Sequence, residues 1–162
     1  MTMRIVVMGV SGCGKSTVGR LLAEKLDAKF IDGDDLHPEE NKAKMAAGIA
    51  LNDDDRWPWL DKVGESLASD ERIVIACSAL RRKYRERILN KGTGTVFVHL
   101  SGSREILAER MASRPNHFMP LSLLDSQLAT LEPLEYDEPG LVADIDQSIE
   151  KIVDSCLSFI RE

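Results

Sequence analysis

The amino-acid sequence predicts a three-layer α/β/α sandwich built on a central five-stranded parallel sheet. Two observations carry this expectation. Five short runs rich in β-branched residues alternate with longer segments of helical period, and the first run ends in a glycine-rich turn that opens into such a segment. Alternation of this kind builds right-handed crossover units, which place a ligand site at the carboxyl ends of the strands.

The strands are expected at residues 4–8, 29–32, 73–77, 95–100 and 141–145. Residues 15–26 set Val18, Leu21, Leu22 and Leu26 on one helical face, and Ile149, Ile152, Val153, Cys156 and Ile160 repeat the pattern near the C-terminus. Two segments fit neither period: the polar residues 34–55, and residues 114–140, which contain four of the six prolines. Long irregular segments in a small domain often form binding loops or lids, so a mobile lid is expected over residues 114–140.

A chain of 162 residues fits a single domain spanning 1–162. With 43% hydrophobic and 30% charged residues it lies outside the composition of disordered chains. A formal charge of -6 excludes a broad basic surface for nucleic acid, so any anionic ligand must be held by a local basic pocket. Cys13, Cys77 and Cys156 are odd in number and widely spaced, which suggests neither a disulfide framework nor a zinc site and points to the reducing cytoplasm. The N-terminus runs into the first strand without the pattern of a signal peptide, and no apolar run approaches the roughly 18 residues of a membrane span.

The strongest motif follows the first strand: Gly9, Val10, Ser11, Gly12, Cys13, Gly14, Lys15, Ser16 and Thr17 match G-x-x-x-x-G-K-S/T. Glycines let successive backbone N–H groups turn toward phosphate oxygens, and the following helix presents its positive end. This is a P-loop for ATP, with Lys15 expected to reach the β- and γ-phosphates and Ser16 to ligate Mg2+. Cys13 lies at a position of this motif that tolerates small side chains, and that reading is preferred to a redox role.

Carboxylates cluster at the end of the second strand, in Asp32, Gly33, Asp34 and Asp35, followed by Leu36, His37 and Pro38. An alcohol that attacks a γ-phosphoryl group needs an acceptor for its proton, which makes Asp34 the candidate base; Asp32 is expected in the outer sphere of the magnesium. After the third strand, residues 77–82 bring Ser78 and guanidinium groups to the same edge. Arg82 and Arg56 are read as contacts for an acceptor carboxylate, while Lys83, Arg85 and Arg87 are read as a solvated helix face. Arg110 and Arg114, four apart on a helix, suit a nucleotide base and its phosphates, and His117 is a substrate contact. Trp57 and Trp59 are read as packing residues.

Taken together, the chain resembles the gluconokinases, small kinases of the shikimate-kinase-like branch of P-loop proteins. The resemblance rests on residues 9–17, on Asp32, Gly33 and Asp34 with Leu36, His37 and Pro38, on Leu51 to Leu60 with Trp57, Pro58 and Trp59, on Cys77 to Leu80, on Arg114 to Phe118, and on Ser126, Gln127 and Leu128. It implies transfer of the γ-phosphoryl group of ATP to the 6-hydroxyl of D-gluconate by a homodimer. It also implies that Asp34, His37, Arg56, Ser78 and His117 contact the acceptor, with Arg110 and Arg114 on the nucleotide. The G-G-G run of shikimate kinases is replaced by Cys77, Ser78 and Ala79, which argues against shikimate. Another small-molecule kinase of this fold and a non-catalytic ATP-sensing module remain the alternatives.

Overall fold

In the computed structural model, which describes residues 2–113 and 121–161, five strands pair in parallel. They are β1 (Met3–Met8), β2 (Lys29–Asp32), β3 (Arg72–Ala76), β4 (Val96–Ser101) and β5 (Gly140–Asp144). The sheet order is β2-β3-β1-β4-β5, so every strand lies within one residue of its expected place. From β1 the chain crosses to the edge strand β2, returns to β3 beside β1, and then passes β1 to reach β4 and β5, a reversal of direction that opens a crevice at the carboxyl end of β1.

Because β1 is paired on both edges and covered on both faces, Val6, Val7 and Met8 have no exposed surface. Alternate residues feed two cores. Ile5, Val7, Val98 and Leu100 meet Val18 and Leu22 of α1 (Lys15–Leu26), Leu107 of α5 (Arg104–Ala112), and Ile152 and Cys156 of α7 (Ile149–Arg161). On the opposite face Val6, Met8, Ile73, Ile75 and Phe97 meet Trp59, Leu60, Val63 and Leu67 of α3 (Asp53–Ala68) and Tyr84 and Ile88 of α4 (Arg82–Lys91). Gly64 lets α3 and α4 approach closely, since a Cβ there would stand 2.8 Å from the carbonyl oxygen of Ile88.

The two segments without a sequence period acquire structure through caps and docking. Residues 33–36 form a 3-10 turn, and α2 (Glu39–Ala46) follows. The N-terminus of α3 is closed by a capping box: Asp55 N donates to the Asn52 side chain at 2.8 Å, and Asn52 N donates to the Asp55 carboxylate at 3.0 Å. Asp53, Asp54 and Asp55 thus sit at the positive end of α3, which accounts for much of the acidity of this stretch. Within the expected lid, residues 121–130 form α6 (Leu121–Thr130), anchored by the buried Leu124; residues 114–120 lie outside the described residues. Among the described residues no helix is long and apolar enough to cross a membrane.

Arg85 corrects the sequence reading. It belongs to no solvated face: its side chain is fully buried and pairs with Glu138 at 2.7 Å, itself 5% exposed. Its remaining N–H groups donate to the carbonyls of Ala79 at 2.9 Å and Pro133 at 3.4 Å. The guanidinium thereby ties α4 to the turn after β3 and to residues 131–139. That turn includes Ala79 with φ 45°, a left-handed conformation that a non-glycine residue keeps only when its surroundings hold it. Glu132 reinforces the junction, its N–H donating to Leu80 O at 2.7 Å and its carboxylate accepting from Arg82 N at 2.9 Å. Glu138→Gln leaves the buried guanidinium uncompensated, so urea denaturation is expected to show a loss of about 3–5 kcal/mol, whereas Arg85→Met with Glu138→Leu recovers most of it.

Candidate active site

The phosphate loop owes its shape to three glycines at φ 147°, 85° and 91°, namely Gly9, Gly12 and Gly14. Gly9 faces the tightest surroundings: a Cβ there would lie 2.7 Å from Cys13 Sγ and 2.9 Å from Leu100 O. Cys13 is buried within the loop, as its packing role requires. Gly14 precedes α1 directly, so the helix offers its free N–H groups and positive end to the crevice. Lys15 Nζ donates to Val10 O at 3.3 Å, and Ser11 N donates to the side-chain oxygen of Gln127 at 2.7 Å.

On the outer side of the loop a cavity of about 230 Å³ is lined by Gly12, Cys13, Gly14, Thr17, Val18, Arg110, Ser113, Ile149 and Ile152. Apolar walls with one guanidinium suit the flat, partly polar ring of a nucleobase. Arg110 is steadied by donating to Ile145 O at 2.6 Å. Arg114 and His117, the other two expected contacts of this region, lie outside the described residues.

At the inner side the structure joins β2 to the loop. Ser16 Oγ donates to Asp32 Oδ2 at 3.4 Å, while Asp32 Oδ1 accepts from Asp34 N at 3.1 Å. These are hard oxygen donors of the kind magnesium prefers. No group of three or more His, Cys, Asp or Glu able to hold a metal occurs among the described residues, so a cation here would complete its shell with phosphate and water oxygens. Asp34 reaches solvent at the crevice mouth. Desolvation by its surroundings, aided by Asp32 and Asp35 and opposed by Lys15, raises its carboxyl above the usual range.

His37 is held by contacts that sequence reasoning missed. Its ring stacks on Trp59 with centroids 4.1 Å apart, and the Trp59 indole N–H donates to Gly33 O at 2.8 Å, pinning the turn that carries Asp34. The Asn41 amide donates to His37 Nδ1 at 3.1 Å and to Asp55 O at 2.8 Å. An amide N–H can only donate, so Nδ1 accepts and Nε2 carries the proton. Burial, with Arg56 and Lys42, lowers the His37 pKa to about 4, leaving a neutral N–H donor at pH 7. The spacing of His37 and Asn41, four apart at a helix start, is the one sequence signal that could have revealed the pair.

Arg56 donates to Asp53 Oδ1 and to the Tyr84 hydroxyl, both at 3.2 Å, and lies over the Tyr84 ring. The Tyr84 hydroxyl donates to Asp53 at 2.6 Å and Lys83 also pairs with Asp53, which holds that carboxyl down to about 2. Ser78 O accepts from Gly9 N at 3.3 Å, setting the turn after β3 against the phosphate loop. Arg82, expected on the acceptor, pairs here with Asp137, Glu135 and Glu86.

Comparison with known proteins agrees with this geometry. The shikimate kinase family model matches residues 11–161. A probable gluconokinase of Xenopus tropicalis is 47% identical over 170 residues, covering 93% of this chain and 90% of the relative. The chain belongs to the gluconokinase family. A further member, the thermosensitive gluconokinase of Escherichia coli K12, is 45% identical over 93% of this chain and 83% of its own. The crystal structure of a gluconokinase from Sinorhizobium meliloti 1021 superposes with a TM-score of 0.91 at 50% identity, covering 98% of this chain and 91% of that one. Membership makes the chain an ATP-dependent phosphotransferase of the kinase type.

Beneath the site, His99 on β4 is 2% exposed and its Nδ1 is the buried side-chain atom without a partner among the described residues. Burial and the nearby Arg85 lower its pKa to about 4. Because the unfolded chain takes up this proton first, stability is full above the ordinary value of 6.5 and falls as the pH drops toward 4. Urea denaturation at pH 7 and pH 5 is expected to show His99→Leu losing about 2 kcal/mol less than the unsubstituted protein over that interval.

Proposed function

We propose that this protein transfers the γ-phosphoryl group of ATP to the 6-hydroxyl of D-gluconate, giving 6-phospho-D-gluconate and ADP. The observation that carries this reading is the junction of Ser16, Asp32 and Asp34, where the phosphate loop and a carboxylate edge come within hydrogen-bond reach. The names of the relatives support gluconate as acceptor.

In this reading the loop N–H groups and Lys15 hold the β- and γ-phosphates, while Arg110 and Arg114 attend the nucleotide. Ser16, with Asp32 behind it, would hold Mg2+, which when bound offsets charge on the β- and γ-phosphates. Asp34 takes the proton of the sugar-acid hydroxyl as its oxygen attacks phosphorus, and the bond to the ADP oxygen breaks in line. A raised carboxyl suits this step, since a stronger base accepts a hydroxyl proton more readily. His37 donates from Nε2 to a hydroxyl of the acceptor, and Arg56, Ser78 and His117 complete its contacts. Arg56 and Arg82 meet the acceptor carboxylate. The same reading takes the enzyme to be cytoplasmic and homodimeric.

Magnesium-dependent ADP production is expected to be stimulated by gluconate but not by shikimate, AMP or glucose. Stimulation by a different acceptor would overturn the specificity, and no stimulation at all would favour an ATP sensor. Lys15→Ala is expected to abolish turnover in a folded protein. Asp34→Asn should lower kcat by about 10²- to 10⁴-fold while calorimetry shows ATP binding retained.

A further inference from the structure

The peptide group between Val10 and Ser11 is gripped at both ends. Its carbonyl oxygen accepts from Lys15 Nζ at 3.3 Å, and its N–H donates to Gln127 Oε1 at 2.7 Å. A trans peptide is planar, so its C=O and N–H point in opposite directions and neither can turn without the other. The shorter bond comes from a residue 116 positions away, in α6.

We propose that Gln127 is a positioning residue for phosphoryl transfer, acting through the Val10–Ser11 peptide on Lys15. The inference rests on the kinase reading given above. This peptide turns about ψ of Val10 and φ of Ser11, two residues set between the bends at Gly9 and Gly12, whose φ values are 147° and 85°. The bond from Gln127 restrains that rotation from outside the loop, and α6 is fixed well enough to supply the restraint. Leu124 is fully buried, Leu128 and Leu131 pack against the same core, and Asp125 accepts from Arg104 at 2.6 Å. Just beyond the helix, Glu132 N donates to Leu80 O at 2.7 Å. Held from this side, the Val10 carbonyl keeps the Lys15 ammonium beside the loop. Released, the peptide turns over and withdraws that acceptor, and the ammonium loses its lateral support.

Two substitutions separate positioning from packing. Gln127→Met fills the same space without an acceptor, and Gln127→Glu keeps an acceptor oxygen. Gluconate-dependent kcat and KM, thermal unfolding and calorimetric ATP affinity are measured for both. Gln127→Met is expected to keep its unfolding midpoint and its gluconate KM within about twofold, yet lose kcat by about 10- to 100-fold and weaken ATP. Gln127→Glu keeps most of the rate. A Gln127→Met protein with unchanged kcat overturns the proposal, as does a Gln127→Glu protein that is equally slow at an unchanged midpoint. If the unsubstituted protein shows no gluconate-dependent turnover, the acceptor assignment alone fails. ATP affinity then decides: weakening by Met and not by Glu supports the inference, and equal affinities overturn it.

Discussion

Three backbone segments meet at Gly9, and the geometry of the whole site depends on how closely they do so. The N–H of Gly9 donates to Ser78 O at 3.3 Å, and the space a side chain would need is filled by Leu100 O and Cys13 Sγ. The end of β1, the turn after β3 and the end of β4 are consequently locked together. The turn carrying Ser78 and the loop carrying Lys15 share one backbone contact, so the two are placed relative to each other by main chain. Any Cβ at this point would push the segments apart.

The electrostatic design is local. In a chain of net charge -6 the cations near the crevice are compensated locally. Around Asp53, Arg56, Lys83 and Tyr84 form one bonded group, so Arg56 is held in place while N–H donors remain on its fork. His37 follows the opposite logic. Stacked on Trp59 and bonded by Asn41, it donates from a neutral ring and adds no positive charge that would depress the neighbouring carboxylates.

Contiguous features were legible in the sequence, and those that depend on distant partners were not. The phosphate loop, α1 and the strands announce themselves within windows of a few residues, because glycine placement and side-chain period are local properties. The nearness of Ser16 and Asp32 is of the same kind, since Asp32 closes β2 and Ser16 stands in the first turn of α1 at the same edge of the sheet. Arg85 did not, because in a run of five basic residues within seven positions only its partner Glu138, 53 positions on, distinguishes it from its exposed and half-buried neighbours. The anchoring of Gly33 by Trp59 and the restraint of Ser11 by Gln127 span 26 and 116 positions and have no local signature. For Arg82 the residue type was suited to a carboxylate, and its pairing with the protein's own distant carboxylates had no local signature either.

The buried pair of Arg85 and Glu138 also bears on how this region comes undone. An ion pair in the interior is rehydrated when it opens, which returns part of the energy that exposing apolar surface would cost. The turn around Ala79 and residues 131–139 are joined through that pair and through Glu132, so they separate from α4 together. Opening this corner is expected to cost less than opening the strands beneath it. Its amide protons are therefore expected to exchange with solvent ahead of those of β1 and β3.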